Sequence, residues 1–100
     1  MTGRYVIDVA ALRARVFDGA GVVDPAVRRA AGTGTPVPEV WSAYVGKVRE
    51  ASYKITEHDV SALKAAGCTE EEIFEVTVAV STGAALQRLD LGLRAMQEGP

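Results

Sequence analysis

Four side chains in this sequence are of types that carry acid–base or thiol chemistry, and they are the candidate catalytic residues: Glu39, His58, Asp59 and Cys68. Histidine titrates near neutral pH and can act as a general base, and a carboxylate can shuttle a proton. A cysteine at a helix N-terminus can act as a nucleophile, because the helix dipole lowers the pKa of its thiol. We expect no metal or cofactor site, since one His and one Cys on different elements form no ligand cluster.

Three of these residues stand where a helix is expected to begin, and that position predicts a structural role for each. Thr56 and Asp59 have the spacing of a capping box, so Asp59 should cap a helix and His58 should face solvent. Glu39 follows Pro38, where its carboxylate complements the helix dipole. We prefer the structural interpretation for all three residues.

Cys68 directly precedes a second capping box, which runs from Thr69 to Glu72. In that position it can pack against Ile73 as a hydrophobic staple. The carboxylates of residues 70–72 raise the pKa of a nearby thiol, and the chain has no second cysteine to resolve a sulfenic acid. We therefore expect Cys68 to be a partly buried packing residue.

Start and stop signals predict an all-α fold. Asp8 and Asp24-Pro25 are N-cap signals, and Gly32 and Gly67 are expected to end helices. No segment shows the alternation of a strand bounded by turns, apart from 76–80, which lies inside a strongly capped helical pattern. The predicted helices span about 9–17, 25–31, 39–52, 57–66 and 70–96.

The last predicted helix is expected to be buried, because it carries no charge from residue 76 to 87. Its expected core residues cover more than one face: Ile73, Phe74, Val76, Val78, Val80, Leu86 and Leu89. Gly83 lies in the middle of this helix, where glycine costs about 1 kcal/mol relative to alanine. Close approach of another helix is the expected compensation.

The small residues 81–85 and an aromatic set supply more packing surface than so short a chain can cover alone. The aromatic set, which could also line a ligand pocket, is Trp41, Tyr44 and Tyr53. We prefer core or subunit interface for it. A homo-oligomer is therefore predicted.

Composition narrows the possible partners and location. The 100 residues make one domain, which we divide into an N-terminal arm (1–31), a linker (32–38) and a main helical unit (39–97). Net charge is −2 without a basic face, which argues against nucleic acid, and no apolar run is long enough for a membrane. A single cysteine and no signal-peptide pattern fit the cytoplasm.

The phrases D-V-S-A-L-K-A-A-G-C-T-E-E-E-I-F-E and G-A-A-L-Q-R-L-D-L-G-L resemble the carboxymuconolactone decarboxylase and AhpD-like superfamily. The N-terminal D-V-A-A-L-R-A-R-V-F-D-G and D-P-A-V-R-R-A resemble its small members that lack the redox motif. The resemblance implies an all-helical fold and assembly as a dimer, trimer or hexamer. In the AhpD-like branch it implies hydroperoxide reduction by a Glu, a C-x-x-C pair and a downstream His.

This chain lacks both cysteines of that motif in either possible alignment. Anchored on His58, the motif would begin at Glu39 and its cysteines would fall on Ala51 and Lys54. Anchored on Gly67, which we prefer, the His falls on Asp59 and the cysteines on Ser52 and Ile55.

Three hypotheses about function follow. The first is a non-catalytic AhpD-like oligomeric binding or accessory protein, with a small molecule as a possible ligand. The second is a carboxymuconolactone-decarboxylase-type acid–base enzyme acting on a small lactone or carboxylate through Glu39, His58 or Asp59, with Tyr44 or Tyr53. The third, which we favour least, is a hydroperoxide reductase that works through Cys68 alone.

Overall fold

The structure is a computed structural model that describes residues 8–98. Five α-helices account for most of these residues, and none of the described residues forms a strand, which confirms the all-α prediction. The first helix continues directly into a π-helical turn at Ala14–Asp18, and a short 3₁₀ turn at Ser52–Lys54 follows the third. The helices are α1 (Val9–Arg13), α2 (Pro25–Thr33), α3 (Glu39–Ala51), α4 (Glu57–Ala65) and α5 (Glu70–Glu98).

The helices begin and end at the predicted signals, with one exception. The Asp8 carboxylate accepts a hydrogen bond from the Ala11 N–H at 2.9 Å, and Asp24 caps α2 with Pro25 in its first turn. Gly67 has a φ of 99° and donates to the carbonyl of Lys64 in a Schellman motif that ends α4.

The exception is Gly32, which was expected to stop α2 but lies inside it. The helix runs on to Thr33 and ends at Gly34, which has a φ of 83°. Gly32 is buried because it meets Gly83 of α5: a Cβ built on Gly83 would lie 2.5 Å from the Gly32 Cα. The predicted close approach to Gly83 is therefore real, and it is made by α2 of the same chain.

The core lies between α5 and the helices α2 and α3, with Val76, Ala79 and Val80 fully enclosed. The prediction of core residues is wrong for two positions of α5, because Phe74 is 68% exposed and Leu89 is 49% exposed. Burial of α5 ends at Leu86, and beyond it Gln87 and Arg88 still make hydrogen bonds to α2 and α3 at the surface. The helix is thus buried along one side of its first half only.

Two charged side chains hold the loop between α1 and α2 against the core by hydrogen bonds to its backbone. Arg28 is 4% exposed, and its guanidinium donates to three carbonyl oxygens, those of Val16, Gly19 and Val23. From α5, the Glu75 carboxylate accepts the backbone N–H groups of residues 22 and 23, both at 2.9 Å. The loop backbone, which has no helical partners of its own, is satisfied by these two side chains.

Candidate functional site

A groove of about 230 Å³ between α3 and α4 brings titratable side chains together. The Lys47 Nζ of α3 donates to both carboxylate oxygens of Asp59 on α4, at 2.9 and 3.0 Å. Tyr44 lies one turn before Lys47, and its hydroxyl is 2.7 Å from the hydroxyl of Thr77 on α5. The groove therefore joins a cation, a carboxylate and a phenol beneath a small apolar opening.

Asp59 is held in this groove as a capping residue. Its carboxylate accepts the Thr56 backbone N–H at 2.8 Å, as the capping-box spacing predicted. That hydrogen bond, together with the Lys47 ammonium, holds the pKa of Asp59 below its usual value. A carboxylate with several donors and a lowered pKa is a poor proton acceptor near neutral pH.

Glu39 and His58 do not join Asp59 in the groove. Glu39 is an exposed residue in the first turn of α3, as its position after Pro38 predicted. His58 precedes Asp59 in sequence but faces solvent, because it lies about 100° around the helix from it. Neither residue lines the groove.

Cys68 lies in the turn between α4 and α5, partly buried against the core. Its backbone N–H donates to the carbonyl of Leu63 at 3.0 Å, which makes it the last residue of the Schellman motif. Burial raises the pKa of the Cys68 thiol, and the Glu72 carboxylate raises it further. The thiol is therefore less nucleophilic at neutral pH than an ordinary cysteine.

The aromatic set divides between the core and the surface. Trp41 and Tyr44 are buried on the inner side of α3, as preferred from the sequence. Tyr53 is 83% exposed, and the Lys54 ammonium lies 5.8 Å from the centre of its ring. Tyr53 therefore lines no pocket with the other two.

Sequence reasoning missed Lys47, because its partner lies twelve positions away on another helix and no local pattern links them. It also missed the uncovered side of α5, although a signal was present. From Val78 to Met96, uncharged residues recur at alternating spacings of four and three. That spacing places them on one side of a helix.

The fold and the groove together define an all-α chain in which Asp59 and Cys68 cap and pack helix ends. Within residues 8–98, no helix is long and apolar enough to cross a bilayer, and no cluster of His, Cys, Asp and Glu could hold a metal ion. Comparison with known protein families, with curated proteins and with solved structures found no match to this chain.

Proposed function

We propose that this protein is a non-catalytic helical module of the AhpD-like type, which acts in the cytoplasm by binding and by self-association. The observation that carries this proposal is how the four candidate residues are used. Asp59 caps α4, Cys68 packs at the turn after it, and Glu39 and His58 face solvent apart from them. Catalysis needs such groups gathered around one reacting atom, and these four are not.

Thiol chemistry has the least support. Peroxide reduction by a cysteine requires a thiolate, and both influences on Cys68 raise its pKa. A second thiol is also needed to resolve the sulfenic acid within the chain, and the sequence has one cysteine.

The acid–base alternative is favoured by one feature, the groove that places Lys47 and Tyr44 beside Asp59. A cation and a phenol are suitable partners for the carboxylate of a small lactone or acid. However, Lys47 already donates to both oxygens of Asp59, so a ligand would have to compete with that ion pair. We therefore regard the groove as a site for a small anionic ligand before a site of catalysis.

Two measurements test this proposal: the turnover of a hydroperoxide and the molecular mass of the protein in solution. Hydroperoxide consumption is measured with a dithiol reductant for the wild type and Cys68→Ser, and light scattering gives the mass in solution. We expect background turnover from both proteins and a mass above one chain. Turnover that disappears in Cys68→Ser would overturn the proposal in favour of a one-cysteine peroxidase.

A second assay separates binding from acid–base catalysis. Small lactones and carboxylates are screened against the wild type, Lys47→Met and Asp59→Asn, both for binding and for conversion. We expect no conversion, and binding of any anionic hit should weaken in Lys47→Met. Conversion that is lost in Asp59→Asn would establish the enzyme instead.

A further inference from the structure

One side of α5 is uncharged along most of its length. A helix turns by about 100° per residue, so between positions 78 and 96 six residues fall within a sector of about 80°. We call these residues the outer stripe: Val78, Thr82, Ala85, Leu89, Gly92 and Met96. Their spacings alternate between four and three, which is the repeat of a helix that packs against another helix.

Within residues 8–98, four of the six stripe residues are exposed and two, Val78 and Thr82, are half-buried, whereas other sides of α5 are covered by neighbouring helices. On one side Gly83 contacts α2, and on another Thr77 and Arg88 make hydrogen bonds to α3. In the stripe itself, Leu89 is 49% exposed and Met96 is 79% exposed.

The two exposed small residues of the stripe, Ala85 and Gly92, leave open space above the helix. A Cβ built on Gly92 would meet no atom within 4 Å, whereas one built on Gly83 would collide with α2. Glycine in the middle of a helix costs about 1 kcal/mol relative to alanine. At Gly83 a close helix crossing compensates for that cost, and at Gly92 nothing among residues 8–98 does so.

We infer that the outer stripe packs against the outer stripe of a second copy, as an antiparallel pair of α5 helices around a two-fold axis near Ala85. This inference rests on the self-association in the proposed function and names the surface that carries it.

The sizes of the side chains that face each other favour an antiparallel pair of two α5 helices. With the two-fold axis at Ala85, Leu89 faces the partner's Ser81 and Val78 faces the partner's Gly92. At these two positions a larger side chain lies opposite a smaller one, which allows interdigitated packing. Phe74, which is 68% exposed one turn before the stripe, faces the partner's Met96.

Charge also favours the antiparallel direction. A parallel pair would bring the N-terminal turns of the two helices together, with Glu70, Glu71 and Glu72 in each. Like charges at that distance repel, and the aligned helix dipoles would repel as well. In the antiparallel pair these ends lie far apart, and no charged residue of α5 occurs between Glu75 and Arg88.

The decisive experiment places a charge at the centre of the stripe. Sedimentation equilibrium is compared for the wild type, Ala85→Glu and the matched control Ala95→Glu, which makes the same change about 80° around the same helix and outside the stripe. We expect a dimer for the wild type and the control. In Ala85→Glu the two new carboxylates meet at the axis and should raise the dimer Kd by about 100-fold or more.

Circular dichroism verifies that each variant is folded, and Met96→Lys is a second variant at a residue that is 79% exposed. A monomeric wild type would overturn both this inference and the proposed self-association. A wild-type oligomer that persists in folded Ala85→Glu and Met96→Lys would overturn this inference alone.

Crosslinking tests the direction of the helices. In a Cys68→Ser background, we expect Ala85→Cys to form a disulfide between two chains, because the axis brings the two residues 85 within bonding distance. Met96→Cys should form none, since the two residues 96 lie at opposite ends of the pair. A disulfide between the residues 96 would establish a parallel pair and contradict the inference.

Discussion

Replacing Gly83 by alanine tests the crossing of α2 and α5, on which the packing of the whole chain depends. The new Cβ would lie 2.5 Å from both the Cα and the carbonyl carbon of Gly32. Carbon atoms in contact are normally about 3.5–4.0 Å apart, so the helices would have to separate by about 1 Å. The colliding atoms are backbone, so no side-chain rotation can relieve the contact.

Two effects of Gly83→Ala oppose each other. Alanine has the better helix propensity, by about 1 kcal/mol. Overpacking of a core costs about 1–3 kcal/mol and more where backbone must move. Because α2 and α5 form the most extensive contact between the described helices, we expect the steric cost to prevail, with a net loss of about 2 kcal/mol.

Thermal unfolding of Gly83→Ala should therefore show a Tm lowered by about 10 °C. The matched control is Gly46→Ala in α3, where a Cβ would meet no atom within 4 Å. That variant has only the propensity gain, so its Tm should rise by about 5 °C. If Gly83→Ala were as stabilising as Gly46→Ala, the helices would not cross at Gly83 and the reasoning would be refuted.

Three further predictions concern single polar groups. Arg28→Met leaves three loop carbonyls without their donor and should lower the free energy of unfolding by about 3 kcal/mol, measured by denaturant titration. The control Arg29→Met removes an exposed ion pair and should lower it by at most about 1 kcal/mol. Hydroperoxide consumption should stay at background in both the wild type and Cys68→Ser, because burial and the Glu72 carboxylate raise the pKa of the thiol and leave little thiolate at neutral pH; turnover that the substitution abolishes would contradict this. Asp59 has a lowered folded-state pKa, so its stabilisation is present above about pH 4 and is lost as the pH falls through that lower value. Asp59→Asn should therefore lose less stability than the wild type as the pH falls below about 4. A variant that loses as much stability as the wild type over that range would contradict this.

The sequence predicted much of the local structure, because helix ends follow short-range rules. The capping boxes at Thr56 and Thr69 and the left-handed glycine at Gly67 each involve residues only a few positions apart. Such hydrogen bonds form within one turn of backbone, so the order of residue types determines them. The all-α class and the capping role of Asp59 followed from these signals.

The candidate site could be predicted only in part. The sequence predicted that Asp59 and Cys68 would be structural, but not that Lys47 would pair with Asp59 across a turn. The lowered pKa of Asp59 depends on that neighbour, which comes from another helix. Hydrogen bonds between helices depend on how the helices pack, and no spacing rule predicts them.

The sequence by itself determined where α5 begins and that it is apolar, but only the tertiary structure decided which of its sides is buried. The helix is uncharged all round from residue 76 to 87, so hydrophobicity alone does not distinguish the inner side from the outer one. The crossing at Gly32 and Gly83 makes that distinction, because two glycines allow the backbones to touch only in one orientation of α5. That contact joins residues about fifty positions apart, and it leaves Leu89 and Met96 facing outward.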